Sequence, residues 1–261
     1  MEAGYDAGSG ARPGVPRSRG VLADAARALA ETVSELLSPT RCAGCERPGD
    51  LVCRACLERL SLIDPRESCT RCGAPFGRML CTECRGGPVA QDRCLATAAF
   101  EGPLPRIIRA YKDGGERRLA TPMAEMLFDT ALNAERMAPD RYGGVLASAD
   151  LVTFVPVTAA AYRRRGFDHM GLVARHLCDL SGRPLADVLV KRGSSDQRKL
   201  GRASRMAGSR GLYEVVAPVE GARVLLLDDV ITTGATVDAS ASALKAAGAR
   251  CVDVLALARV W

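Results

Sequence analysis

Aromatic side chains and histidine are scarce in this 261-residue chain. Phe, Tyr and Trp together make up 4% of it, so a core must be assembled mainly from Ala, Val and Leu. Few rings are left for a surface that stacks on successive bases: Tyr5, Phe76, Tyr111 and Trp261 are the ones available. The two histidines, His169 and His176, have no third ligand nearby, so neither is assigned a metal. His176 falls on the apolar side of a helical pattern and reads as structural, while His169 is the one placed to face a ligand cleft. Nowhere does an apolar run reach the roughly 20 residues that span a bilayer. No basic segment near Met1 leads into an apolar core, so membrane insertion and a secretory leader are not expected. The expected location is the cytoplasm, where thiols stay reduced. No repeat of solenoid period is present.

Charge of either sign is nearly balanced outside one segment. The chain carries 36 Lys and Arg against 30 Asp and Glu, a net +6. Residues 191–210 hold Lys191, Arg192, Arg198, Lys199, Arg202, Arg205 and Arg210 against Asp196 alone. The whole excess therefore sits in one stretch. Such a local field favours an anionic partner (a phosphorylated metabolite, nucleic acid or both), with a solvated loop as the plainer reading.

Four regions differ in character. Residues 1–20 are rich in Gly, Pro, Arg and Ser and read as a flexible extension. Residues 21–40 carry an amphipathic helical pattern through Leu22, Leu29, Val33, Leu36 and Leu37, which Pro39 stops. Residues 41–90 are cysteine-rich. Residues 91–261 alternate apolar strands, at 96–100, 150–156, 187–191, 212–216, 223–227 and 252–258, with helices at 104–112, 116–128, 171–180 and 235–247. Strands of nearly continuous apolar character alternating with helices predict an α/β fold: a mostly parallel sheet flanked by helices on both faces.

Eight of the eleven cysteines form four CxxC pairs: Cys42 and Cys45, Cys53 and Cys56, Cys69 and Cys72, Cys81 and Cys84. The segment is too small and polar to bury a core of its own, and bound metal would supply the cohesion. Eight thiolates suit two tetrahedral structural Zn²⁺ sites, a double zinc ribbon. Sequential grouping of the cysteines is expected, with interleaved grouping as the alternative. Iron–sulfur ligation is the chemical alternative to zinc. Gly44 and Gly73 sit where knuckle turns often need a left-handed backbone. Cys94, Cys178 and Cys251 read as small buried hydrophobes.

The most specific pattern is Val224–Thr236: an apolar strand, Asp228-Asp229, Val230-Ile231, then Thr232-Thr233-Gly234-Ala235-Thr236 opening a helix. Strand ends in open α/β sheets are where ligands bind. A helix N-terminus suits phosphate, and the three threonines add hydroxyl donors. Gly234 lets the loop curl and leaves no Cβ in the phosphate's way. Carboxylates repel phosphate, so Asp228 and Asp229 would hold ribose hydroxyls or Mg²⁺-bound water instead. A simple helix cap is the alternative. Together the parts predict a site for a sugar-linked phosphate.

This segment resembles the signature of type I phosphoribosyltransferases. Tyr111-Lys112-Asp113-Gly114-Gly115, Val155-Pro156-Val157 and Arg164-Arg165-Gly166-Phe167-Asp168-His169 narrow the resemblance to ComF-like proteins, associated with competence and DNA uptake. Asp168-His169 stands where an Asn-Gln pair is common in such proteins. The resemblance implies a type I phosphoribosyltransferase-like sheet with an N-terminal zinc ribbon. It also implies binding of phosphoribosyl pyrophosphate with Mg²⁺ at Asp228, Asp229 and Val230–Thr236. Val157 and Thr158 would offer backbone donors in a pyrophosphate loop, with Arg164, Arg165 and Lys112 neutralising charge. Arg198, Lys199, Arg202 and Arg205 would belong to a mobile basic loop. The activity implied is phosphoribosyl transfer to an unknown acceptor, with single-stranded DNA and uptake-machinery proteins as partners. A non-catalytic module that senses phosphoribosyl pyrophosphate or a nucleotide, and binds single-stranded DNA or protein, is the alternative.

Overall fold

The structure, a computed structural model, describes residues 39–75, 77, 80–192 and 212–261. The extension of residues 1–20, the amphipathic pattern ending at Leu37, and Arg198, Lys199, Arg202 and Arg205 of the basic stretch lie outside the described residues.

In chain order the elements are α1 (Arg54–Leu57), a 3₁₀ turn (Pro65–Glu67), α2 (Thr82–Arg85), β1 (Arg93–Ala99), α3 (Leu104–Lys112) and a second 3₁₀ turn (Arg117–Leu119). Then follow α4 (Ala120–Met137), α5 (Pro139–Tyr142), β2 (Leu151–Phe154), α6 (Ala159–Arg165), α7 (His169–Ser181), β3 (Leu189–Lys191) and β4 (Tyr213–Val215). β5 (Arg223–Ile231), α8 (Ala235–Ala246) and β6 (Cys251–Arg259) complete the order. Four strands pair in the order β1-β6-β5-β2, every pair parallel, and β3 and β4 form a separate antiparallel ribbon. β5 and β6 are central and buried on both faces, which is why their sequences run apolar without alternation.

The sheet separates two cores. Leu225, Leu227, Leu255 and Leu257 point to the face covered by α3, α4 and α7. Val224, Leu226, Val252 and Val254 point to the face covered by α8 and the β3–β4 ribbon. This is the period-two alternation of strand side chains. α4 is longer than its apolar pattern first suggests. Ala120, Met123, Ala124, Leu127, Ala131 and Ala134 are all buried, so the helical stripe continues on small residues past Phe128 to Met137.

The cysteine segment is built onto the sheet, and Arg41–Trp261 packs as one unit. Leu62 bridges Ala98 antiparallel, with Ile63 N–H donating to Thr97 O at 3.0 Å and Ala99 N–H to Ser61 O at 2.9 Å. The free edge of β1 is thereby partly covered. Cys94 N–H donates to Thr70 O at 2.7 Å.

The largest difference from the sequence reading concerns β5. Its apolar run suggests a strand ending at Leu227, yet parallel pairing with β6 carries it through both aspartates to Ile231, with Asp228 opposite Ala256 and Ile231 opposite Arg259. On its other side β2 stops at Phe154, opposite Leu227. β5 therefore outruns β2, and the space beside Asp228–Ile231 is left for a ligand cleft.

Candidate functional site

That cleft has a volume of about 180 Å³ and is lined by Lys112, Val155–Thr158, Ala161, Arg165, His169, Lys191, Asp228 and Asp229. Strand alternation sends Asp228 and Asp229 to opposite faces of the sheet, and both are buried. Asp229 Oδ2 accepts from His169 Nε2 at 2.6 Å and pairs with Lys112 Nζ. Among the described residues Asp228 Oδ1 accepts one bond, a local one from Asp229 N–H at 2.9 Å.

The two carboxyls are thus driven apart. Burial and the neighbouring Asp229 charge push the Asp228 carboxyl well above the ordinary carboxylate range, against smaller opposing effects of the Asp229 amide, Lys112 and Lys191. Burial also acts to raise Asp229. The His169 hydrogen bond and the charges of Lys112 and His169 outweigh it and hold Asp229 below the ordinary range. The surroundings thus favour the charge on Asp229 and oppose it on Asp228.

The motifs at Tyr111 and Gly166 position the two groups on Asp229. Tyr111 OH donates to His169 O at 2.5 Å, and its ring meets Phe167 edge-on at 5.5 Å. Arg117 lies 4.8 Å over the Phe167 ring and donates to Gly166 O at 3.1 Å. Gly166 ends α6 in the left-handed conformation, and Asp168 caps α7 by accepting from Gly171 N–H at 2.9 Å. The end of α3 is thereby fixed against the α6–α7 turn, which sets Lys112 and His169 side by side.

Beyond Ile231 the chain turns through Thr232–Gly234 into α8. Thr232, Thr233, Ala235 and Thr236 are exposed, and Thr233 Oγ1 accepts from Ala235 N–H at 3.3 Å. Gly234 has φ +79°, and a Cβ there would meet no atom within 4 Å. Only the left-handed backbone opposes a side chain. Gly234→Ala is therefore expected to lower stability by about 1 kcal/mol without disturbing the surrounding fold, as read by chemical denaturation.

Among the cationic candidates, Arg165 lines the cleft and Arg164 is exposed outside it. Arg165 Nε is buried without a hydrogen-bond partner, and its guanidinium lies 3.4 Å from His169 Nδ1 and 3.8 Å from Asp113. Val157 and Thr158 lie on the cleft wall, with Thr158 Oγ1 accepting from Ala161 N–H at 3.1 Å. Lys191 also lines the cleft. The sequence reading placed it in the basic stretch and gave it no site role, although it ends a strand as Asp228 and Asp229 nearly do. The hydrogen bond from His169 to Asp229 has no sequence signal at all, since sixty residues separate the partners.

The eight CxxC cysteines gather into two groups, Cys42–Cys45–Cys53–Cys56 and Cys69–Cys72–Cys81–Cys84, with the sulfurs of each group within 4.8 Å of one another. The grouping is sequential. Four sulfurs around one Zn²⁺ at ~2.3 Å stand about 3.8 Å apart, and Cys45–Cys53 and Cys72–Cys81 are already at 3.6 Å. In the first group burial raises the Cys42 thiol, but N–H groups of Cys53, Gly44 and Cys45 prevail and hold it at about 6. In the second, burial is likewise overcome at Cys69 by the amides of Cys81, Arg71 and Cys72, which hold it at about 7. Burial and the neighbouring thiols push Cys56 and Cys84 far up instead. Four sulfurs at this spacing, with the N–H groups of Cys53 and Cys81 donating to Cys42 and Cys69, fit a bound Zn²⁺. Gly73 takes φ +72°, as a knuckle turn requires. Gly44 does not; it is there for space, because a Cβ would come within 2.7 Å of Cys56 Sγ. The left-handed residue in that turn is Glu46, at φ +65°.

The parallel sheet, its flanking helices and the central strand that carries the two acids form a phosphoribosyltransferase fold. Residues 152–260 match the family described as Phosphoribosyl transferase domain. The chain is 27% identical over 210 residues to a protein of Salmonella typhi called DNA utilization protein YhgH, covering 79% of this chain and 87% of that one. It is 24% identical over 198 residues to Competence protein F of Haemophilus influenzae, covering 73% and 84%. It is 29% identical over 106 residues to Competence protein ComFC of Streptococcus pneumoniae, covering 40% and 46%. Over most of its length the chain is similar to these competence and DNA-utilization proteins. No helix among the described residues is long and apolar enough to cross a membrane.

Proposed function

We propose that the cleft at the end of β5 binds phosphoribosyl pyrophosphate with Mg²⁺, and that the chain uses it in the handling of incoming DNA. The observation that carries the reading is a pair of buried aspartates leading, through the left-handed Gly234, into the exposed N-terminus of a 12-residue helix, opposite a loop bordered by Arg165 and Lys191. A phosphate bound at Thr232–Thr236 would meet the α8 amides and the threonine hydroxyls. The ribose hydroxyls, or water on Mg²⁺, would then face Asp228 and Asp229. Pyrophosphate would lie toward Val157, Thr158 and Arg165, where the unpartnered Nε supplies a donor.

In the reaction proposed, the bond from ribose C1 to pyrophosphate breaks and a nitrogenous acceptor bonds to C1. Mg²⁺, when bound, would neutralise the departing pyrophosphate. Arg165 and Lys191 stabilise the same negative charge, while Asp228 and Asp229 orient the ribose as it gains positive character. An adjoining cleft of about 400 Å³ shares Pro156, Val157 and Lys191 with the first and has room for an acceptor. Participation in DNA uptake follows the relatives' names, competence and DNA utilization. The basic stretch containing Arg198, Lys199, Arg202 and Arg205 is the segment we assign to single-stranded DNA. A reducing compartment such as the cytoplasm would keep both cysteine groups available to zinc.

The test combines a pyrophosphate-release assay, using phosphoribosyl pyrophosphate, Mg²⁺ and a panel of nucleobases, with fluorescence anisotropy on single-stranded DNA. Release that depends on an acceptor is expected. Binding without release under every acceptor would move the reading to a sensor. DNA affinity that does not change when Arg198, Lys199 and Arg202 become Ala would remove the basic segment from it.

A further inference from the structure

Arg259, the last residue of β6, is 3% exposed. Its guanidinium donates to Cys72 O at 2.9 Å and Ile231 O at 3.3 Å, and also to Thr232 O and Val260 O. All four acceptors are backbone carbonyls. No carboxylate pairs with it among the described residues. A buried cation without a counter-charge is costly. The second cysteine group lies against it, because Cys72, which accepts one of its bonds, is a member of that group. Four thiolates around Zn²⁺ make a net dianion, the counter-charge this guanidinium otherwise lacks.

The contacts connect two sites that are far apart in sequence. Cys72 is a ligand of the second group, and Ile231 and Thr232 open the turn that Gly234 completes. We infer that Arg259 is a positioning residue that couples metal occupancy of the Cys69–Cys72–Cys81–Cys84 group to the geometry of the Thr232–Thr236 loop. The zinc centre is then more than a staple for its own segment: it fixes the loop that receives the sugar phosphate. The second group's knuckle is also held to the rest of the fold by Cys94 N–H on Thr70 O at 2.7 Å and by Gln91 Nε2 on Arg71 O at 2.7 Å. A change at the metal therefore reaches Arg259 instead of dissipating. The first group makes no hydrogen bond to this loop among the described residues, so the coupling belongs to one metal of the two.

The consequence for ligand affinity rests on the proposed binding of phosphoribosyl pyrophosphate, but the coupling itself can be read without ligand. Amide hydrogen exchange of Thr232–Val237 is measured in the full chain for Cys84→Ser, which disables the second group, and for Cys45→Ser, which disables the first. Loop exchange is expected to rise at least ~tenfold in Cys84→Ser and to stay at the wild-type rate in Cys45→Ser. Arg259→Lys keeps the charge and loses the fork. It is expected to retain two zinc ions per chain while its loop exchanges as fast as in Cys84→Ser.

Calorimetry with phosphoribosyl pyrophosphate and Mg²⁺ then separates the two ideas. Affinity about tenfold weaker in Cys84→Ser than in Cys45→Ser supports both. Altered loop exchange with no ligand heat, even in the wild type, keeps the coupling and overturns the ligand reading. Loop exchange equal in all variants overturns the coupling whatever binds. If Cys84→Ser does not fold, a zinc-specific chelator gives the reciprocal reading on the unaltered chain. Ligand should slow release of one zinc of the two several-fold, and equal rates with and without bound ligand would overturn the coupling.

Discussion

Asp228→Asn and Asp229→Asn are expected to change stability in opposite directions while both weaken ligand binding. Folding raises the Asp228 carboxyl, chiefly through burial and the Asp229 charge. Its favourable contribution is therefore full below the unfolded value of about 4 and is lost as pH rises through the raised folded value. At pH 8 the ligand-free protein carries a carboxyl that folding would keep neutral. Asn is neutral at every pH, and its Oδ1 can still accept from the Asp229 amide. Asp228→Asn should then gain roughly 1–3 kcal/mol over wild type at pH 8 and much less at pH 5.

Asp229 behaves the other way. Burial raises it, but His169 and Lys112 prevail and hold it low. Its contribution is present above about pH 4 and is lost as pH falls through the depressed value. Asp229→Asn leaves Lys112 and His169 without their shared carboxylate and should cost ~3 kcal/mol or more at neutral pH. Each substitution removes charged acceptors for hydroxyls or metal-bound water, and each should weaken phosphoribosyl pyrophosphate binding by roughly 10²-fold. Urea denaturation at pH 5 and pH 8, with calorimetry on the same samples, reads both effects. A destabilised Asp228→Asn at pH 8 would show that the cleft does not strain this carboxyl.

The second large effect is metal removal. Around the second cysteine group the buried cluster is Cys69, Cys72, Ala74, Cys81 and Cys84, with Leu80 against it. Sulfur is nearly all the core this segment has. The first group differs, because Cys42 and Cys56 join the main core beside Val52 and Leu104. Stripping zinc should melt the second group's segment before the first, and should lower the midpoint of thermal unfolding by more than about 10 °C once both are empty. Metal analysis should find two zinc ions per chain, with early proteolysis in the segment between Cys69 and Cys84 after chelation. Iron and sulfide in a coloured protein would replace zinc by a cluster. An unaltered unfolding midpoint in metal-free protein would mean that the metal contributes nothing to the fold.

The sequence made the acids of β5 and the Thr-Thr-Gly turn after them legible, because these distinctive residue types fall within a few positions of one strand end. It made the cysteine groups legible because two ligands from each CxxC turn restrict the grouping to few choices. The strand's true end at Ile231 was hidden, since aspartate has low strand propensity and it is the parallel pairing with β6 that carries the strand past Asp228 and Asp229. The extent of α4 was hidden in the same way. Ala131 and Ala134 carry little hydrophobic signal, yet both are fully buried. His169, Lys191 and Arg259 act across gaps of tens of residues, and no local pattern encodes such meetings. Arg259 did leave one trace, a charge that closes an uninterrupted apolar run after Asp253.

The most direct measurement is calorimetric titration of the zinc-loaded chain with phosphoribosyl pyrophosphate, with and without Mg²⁺. The account predicts one ligand per chain, binding that strengthens with Mg²⁺, and loss of the signal in Asp228→Asn. Absence of binding in zinc-replete, folded protein, or binding indifferent to Asp228 and Asp229, would contradict it.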